Sequence, residues 1–422
     1  MLTVVVDQIT PRIEYVLEFV FESRGVGYEI VTSNSDTLLN QHVLHYTRLE
    51  KGSCWIECSS ILSEDLIADQ VVGQGEFQGV ECFTFDSIAD PIASIFFHLT
   101  RYEEYTSSNR DLHDRFQLSE SKLPDGWIEK AMCDHWAVAI LNFLNIEKEE
   151  QLEVDLLPTF DIDNTYAYKL KSGKRKILST LRDIAKIDTS RLQERRSVGS
   201  GKRDPYDTFD LILDVNKRFS KTRIFWLVAS DGKYDRNLSI KVEKHRGLIR
   251  TLIAKGAKIG LHPSYGSFNN VDLIRQEKSK LAVVISEKIK SSRQHYLRFS
   301  LPHTYRALLK AGFEHDYTMG FAERTGFRAG TARNFVWFDL GRNEKTNLMI
   351  HPFVYMDGTL NEYMKLTISE SKELIAKLFE EVVEFGGDFS FIWHNETIGD
   401  YGKWEGWSEV LNYTLNLKDE SK

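Results

Sequence analysis

The chain is poor in several features that would place it quickly, and each shortage narrows the possibilities. Its 422 residues hold four cysteines, Cys54, Cys58, Cys82 and Cys133, all in the first third. Cys54 and Cys58 have no Cys-x-x-Cys partner or histidine set beside them, which argues against a zinc knuckle and for reduced thiols. No run of about 18 apolar residues occurs, so no membrane span is expected. Long basic runs are also missing, and Lys plus Arg number 54 against 62 Asp plus Glu, for a formal charge of -8. Nucleic acid is therefore not an expected partner. The opening MLTVVVDQITPRIEY lacks the basic n-region, long apolar segment and cleavage site of a secretory signal, so the expected compartment is the cytoplasm. There is no internal repeat and no low-complexity stretch, and nothing fixes an oligomeric state.

What is present is the material of a globular protein. Hydrophobic residues make up 42% and charged residues 27%, enough for a real core, and the length predicts two or three domains. Residues 2–6 read as a strand. Residues 11–22 read as a helix with Ile13, Val16, Leu17 and Val20 on one side, stopped by Gly25 and Gly27. Helices over 91–105 and 127–144 complete a small α/β domain, residues 1–150, whose role is unassigned. A charged hinge at 147–151 leads into residues 151–422. There, strands at 222–229, 257–261, 296–299, 348–355 and 389–393 alternate with helices at 206–219, 245–255, 271–290, 302–311, 368–385 and 407–417. Such alternation predicts a parallel sheet or barrel. The basic segment 169–186 reads as a solvated helix face and 197–205 as a loop.

The chemistry centres on PTFDIDNTY, residues 158–166. On a strand, Asp161 and Asp163 share a face while Ile162 points into the packing. Two carboxylates held so close call for a cation or a shared proton. In parallel α/β folds, sites gather where strands end in their C-terminal loops. The residues leaving three of the expected strands are Asp161 with Asp163, then His262, then His394, an inventory suited to metal binding and acid/base work. His42, His45, His98, His113 and His135 lack ligand spacing and read as surface or core histidines.

In order along the chain, Thr159-Phe160-Asp161-Ile162-Asp163, His262-Pro263-Ser264-Tyr265-Gly266-Ser267, Gly326-Phe327-Arg328-Ala329-Gly330 and Ile392-Trp393-His394 resemble the four motifs of the polysaccharide deacetylase family, which carries the NodB-homology domain. The resemblance covers about residues 151–422, and a long N-terminal extension with a closing Trp-His-Asn is similar to one bacterial branch. It implies a distorted (β/α) barrel and a metal-dependent carbohydrate deacetylase, a hydrolase of linear amides acting on an N-acetylated or O-acetylated sugar. It makes Asp161 the general base, Asp163 and His262 ligands of a divalent ion such as zinc, His394 the general acid and Arg328 the cation that orients Asp161. Trp393, Tyr265 and Asn395 are the expected substrate-binding residues.

The pattern departs from the family in two ways. The carboxylates are spaced Asp-x-Asp, and the usual second histidine falls on Gly266. The third ligand is then another residue or water, with His295 the preferred candidate and His303 behind it; His315 and His351 suit packing. FDIDNT also resembles the first motif of haloacid-dehalogenase-type phosphatases, with Asp161 as nucleophile and Ser230, Gly399-Asp400 and Glu405 as later motifs. That alternative leaves His262 and His394 idle. A glycoside hydrolase is disfavoured because its carboxylates flank the sugar from opposite sides. A non-catalytic glycan-binding relative of the deacetylases is the remaining alternative.

Overall fold

The structure, a computed structural model, describes residues 1–33, 42–147, 154–170, 181 and 189–420. The hinge expected at 147–151 and the basic segment 169–186 lie mostly outside the described residues.

The first third builds two small sheets. Strand β1 (Leu2–Val6) is buried along its whole length and pairs in parallel with β2 (Tyr28–Thr32) and β3 (Val43–Thr47), which pairs with β4 (Trp55–Glu57). Thr10 caps the helix Pro11–Val20 by accepting from the backbone N–H of Ile13 at 3.2 Å, and a proline follows where its missing N–H costs nothing. Strands β5 (Gly73–Phe77), β6 (Val80–Phe85) and β7 (Ile88–Ala89) form an antiparallel sheet. The expected helix over 91–105 is broken: it runs Pro91–Leu99, Arg101 takes φ 55°, and a short turn resumes at Glu103–Thr106.

The remainder is organised by a nine-stranded mixed sheet. Its strands are β8 (Val154–Ile162), β9 (Arg223–Leu227), β10 (Ile259–His262), β11 (Ser291–Ser292), β12 (His315–Asp316), β13 (Phe335–Asp339), β14 (Glu344–Ile350), β15 (Tyr355–Met356) and β16 (Gly387–His394). The order is β13-β14-β12-β11-β10-β9-β8-β16-β15, parallel except for the β13/β14 hairpin. The α/β character agrees with expectation. Among the described strands, however, the ladder has two ends and does not close into a hydrogen-bonded cylinder. The outer arm of a hairpin forms one edge, and β15, two residues long and paired only with β16, forms the other.

Alternation along β8 separates two environments. Leu156, Phe160 and Ile162 join the large apolar cluster that also takes in Val4, Phe96 and Phe389. Leu157 lies on the opposite face with Phe225 and Tyr317, and Asp161 projects from that same face. Local expectations also fail, among them the strand at 348–355, where β14 ends at Ile350. Residues 296–299 are not a strand: His295–Leu297 is a 3-10 turn in which Tyr296 and Leu297 have positive φ, and the ladder pairing sits earlier, at Ser291–Ser292. The loop expected from 197 begins late, because the helix Thr189–Gly199 runs into it.

Candidate metal centre

Parallel register aligns the ends of the central strands. His394 of β16 is the ladder partner of Asp161 on β8, and His262 ends β10 opposite Leu227 of β9. Asp163, one residue past β8, is thereby brought to His262, whose Nε2 is 3.2 Å from its Oδ1. The tight turn after β11 brings His295 Nε2 to 3.3 Å from Oδ2 of the same carboxylate. Asp163, His262 and His295 each offer a donor atom, all within 4.8 Å of one another.

Each histidine is oriented from behind. His262 Nδ1 is 2.6 Å from the backbone carbonyl of Arg293, which can only accept, so Nδ1 carries a proton and Nε2 is the atom turned towards Asp163. His295 Nδ1 is 2.8 Å from Asp235 Oδ1 and is fixed likewise. Burial works against charge on His295, but Asp163 and then Asp235 outweigh it and raise its pKa to about 9. Burial also opposes ionisation of Asp163, yet His295 and His262 hold its pKa well below the usual carboxylate range.

The residues present fit a divalent ion. Donors about 2.0 to 2.2 Å from a tetrahedral ion lie roughly 3.3 Å apart, and the two histidine nitrogens lie 3.2 and 3.3 Å from the two oxygens of Asp163. Asp163 Oδ1 is a buried atom with no hydrogen-bond partner among the described residues. Such an atom is costly unless a cation or donor satisfies it.

Asp161, buried at 3% exposure, accepts from Arg293 Nη1 at 2.9 Å. Arg293 is itself fully buried, donates through Nε to the carbonyl of Tyr317 and packs its guanidinium 4.5 Å from the Phe225 ring centre. His394 stands across from the pair, its Nε2 3.8 Å from Asp163 Oδ2. All five residues, Asp161, Asp163, His262, His295 and His394, border one cavity of about 620 Å³. Glu396 borders it too, its carboxyl pushed up to about 7 by burial and by Asp163.

Several expected site residues lie elsewhere. Arg328 does not touch Asp161: its Nε and Nη2 grip both oxygens of buried Glu104 at 2.9 and 2.7 Å. The guanidinium on Asp161 belongs to Arg293, which sequence reading missed although it stands two residues before His295. Trp393 is fully buried because it neighbours His394 on a strand and must point the other way. Asn395 is also buried, and its Nδ2 donates to the carbonyls of Asn164 and Tyr206, tying loops together. Tyr265 packs 4.2 Å from the Tyr234 ring, under Arg298, outside the lining of the main cavity. His303 is exposed at the start of the helix His303–Lys310, and His315 and His351 face each other at 3.0 Å. Asp235 and Asp357 were also missed. Asp357 directly follows β15, so the strand-end rule that found His262 could have found it, whereas Asp235 lies well along the loop after β9 and carries no such signal.

A model of a family of unknown function, DUF7033, matches residues 2–148. No curated protein matches the chain. Among solved structures, a provisionally assigned polysaccharide deacetylase from Mycobacterium smegmatis is 15% identical, with 65% of this chain and 87% of that one covered at a TM-score of 0.40. One from Pseudomonas aeruginosa, also provisionally assigned, is 10% identical over 64% and 86% of the chains at 0.40. A polysaccharide deacetylase from Bacillus cereus is 12% identical over 64% and 89% at 0.31.

Proposed function

We propose that the chain is a divalent-metal-dependent deacetylase of the polysaccharide deacetylase type, hydrolysing the acetyl group of an N-acetylated or O-acetylated sugar. The observation that carries this reading is the convergence of Asp163, His262 and His295 beside a second carboxylate, Asp161, that has its own cation. Asp163, His262 and His295 would hold the ion, zinc being the natural match to an Asp/His set. The third ligand position, left open by Gly266, would be filled by His295. Bound there, the ion supplies an acidified water and a Lewis acid for the acyl oxygen.

The chain's own residues divide the remaining work. Asp161 is buried and aimed by the Arg293 guanidinium, so it can accept the proton of the attacking water. His394, held by Asp357 through Nδ1, presents Nε2 to the cavity and can deliver a proton to the departing nitrogen or oxygen. Base and acid are thus separate groups, each with a dedicated orienting partner. In this reading the barrel-type catalytic unit is residues 151–422, and residues 1–150 form the preceding unit.

The phosphatase alternative finds less support. Ser230 is bonded to Asp231, Asp400 to Ser408, and neither Ser230, Asp400 nor Glu405 lines the cavity. The deciding experiment uses metal-stripped protein on N-acetylglucosamine oligomers: hydrolysis should vanish and return with zinc or cobalt, and Asp161→Asn should keep the metal while losing the activity. A protein that binds no divalent ion, with Asp161→Asn indistinguishable from the parent, would sink the reading. Magnesium-dependent phosphatase activity surviving His394→Ala would support the alternative.

A further inference from the structure

The rim of the cavity is held by a loop from the first third of the chain. Residues 110–118 fold into a tight loop closed by a bridge between Arg110 and Phe116. Inside it the Asp111 carboxylate accepts from the backbone N–H groups of His113 and Arg115, at 2.8 and 2.9 Å, and from Arg115 Nε at 2.7 Å. The Arg115 side chain is therefore fixed before it meets anything else. Its Nη1 then donates to the carbonyl of Tyr296 at 3.2 Å, and its Nη2 reaches the Tyr363 hydroxyl at 3.5 Å with the guanidinium 5.8 Å from that ring's centre. A second tether lies alongside, where Arg298 Nε donates to the carbonyl of His113 and the Arg298 guanidinium pairs with Asp114.

Arg115, Tyr296 and Tyr363 all line the cavity that contains the candidate metal centre. Tyr296 and Tyr363 are among the few large hydrophobic side chains left exposed, at 37% and 43%. Tyr296 directly follows His295 and has φ 61°, a conformation unfavourable to a tyrosine unless its surroundings hold it. Two exposed aromatic rings at the mouth of a polar cavity suit the apolar face of a pyranose ring. Fixing them in advance removes the ordering cost that binding would otherwise carry.

We infer that Arg115 is a substrate-positioning residue and that residues 110–118 form one wall of the sugar site, holding Tyr296 and Tyr363 for stacking on the substrate. This rests on the deacetylase reading and gives the first third of the chain a part in recognition. Arg115 acts through the two tyrosines, so its loss changes binding before chemistry.

The test uses the full chain, zinc-loaded, with the N-acetylglucosamine tetramer as substrate. Arg115→Ala should raise KM about 10-fold while kcat stays within about threefold and zinc content is unchanged. Tyr363→Leu should behave alike, and the double variant should be no worse than the more damaging single, because both remove one device. Arg115→Lys, which keeps the charge but cannot reach both partners, should fall between parent and Ala; with Tyr363→Leu it decides the matter if Arg115→Ala does not fold. An unchanged KM in these variants, or fully additive effects in the double, overturns the inference while leaving the deacetylase reading intact. An inactive parent chain would tell against that reading and take this inference with it.

Discussion

One carboxylate, that of Asp357, holds His394 twice. Its Oδ1 is 2.9 Å from Nδ1 of the ring, and its Oδ2 accepts the backbone N–H of His394 at 2.8 Å. The hydroxyl of Thr397 donates to Oδ2 as well, at 2.6 Å. Ring orientation, tautomer and main-chain position are therefore set by a single fully buried side chain.

Replacing Asp357 with Asn should leave zinc content intact and lower kcat about 10- to 100-fold, the usual effect of losing a partner that orients a catalytic or ligating histidine. Steady-state kinetics paired with metal analysis reads both quantities. An unaffected kcat would remove His394 from the acid role.

Arg293→Met should lower kcat by about 100-fold or more, since Asp161, the proposed base, loses the guanidinium that aims it. Zinc binding should survive, because His262 leans on the main-chain carbonyl of this residue and not on its side chain. If the metal is lost along with activity, base and ligand are not separable in this way.

Asp235 stands behind His295, so Asp235→Asn should weaken zinc affinity about 10- to 100-fold. Competition titration against a chromophoric chelator measures it. His295→Ala should weaken affinity further, and equal affinities for parent and His295→Ala would place the third ligand elsewhere.

The buried cluster of Glu104 with Arg101 and Arg328 predicts an acid sensitivity. Burial opposes ionisation of Glu104, but Arg328 and then Arg101 prevail and hold its pKa below the ordinary 4.5. The folded state thus binds this proton less readily than the unfolded state. The stabilisation is complete above about pH 4.5 and is lost as pH falls through the lower folded value. Glu104→Gln should cost about 3–5 kcal/mol at neutral pH by leaving two guanidinium groups underpaired, and should flatten that acid-dependent loss. Denaturant melts at pH 7 and pH 4 check both statements.

Gly326 has φ 125°, and a Cβ there would lie 2.1 Å from the carbonyl oxygen of Ile128, which also accepts the N–H of Phe327 at 2.7 Å. Gly326→Ala should therefore destabilise by about 3 kcal/mol or more through backbone strain and overlap. Thermal unfolding of the variant would read it.

How far the sequence spoke depended on what each residue's role required. The convergence of Asp161, Asp163, His262 and His394 on one cavity was legible because strand periodicity and strand ends are local properties. His295 was legible as a candidate, although its turn was misread as a strand: Tyr296 and Leu297 have positive φ, and the turn is held through its Tyr296 carbonyl by Arg115, far away in sequence. Arg328 was misassigned because a guanidinium's partner is settled by tertiary packing, and Glu104 lies 224 residues away. The Gly-Phe-Arg-Ala-Gly segment is instead a joint, its glycines lying against Ile128 at one end and His98 with Cys133 at the other. The β13/β14 hairpin escaped notice because the alternation around it suggested parallel strands only.

Arg293 serves the site with two different parts of itself, its guanidinium on Asp161 and its peptide oxygen on His262. The proposed proton acceptor and one corner of the candidate ion cage are thereby coupled through a single residue. Asp161 stands on β8 and His262 ends β10, so a shift of the backbone just after β11 would disturb the orientation of both at once. A change that moves the main chain at residue 293 is therefore felt at Asp161 and His262 together, whereas a change confined to its side chain is felt at Asp161 alone.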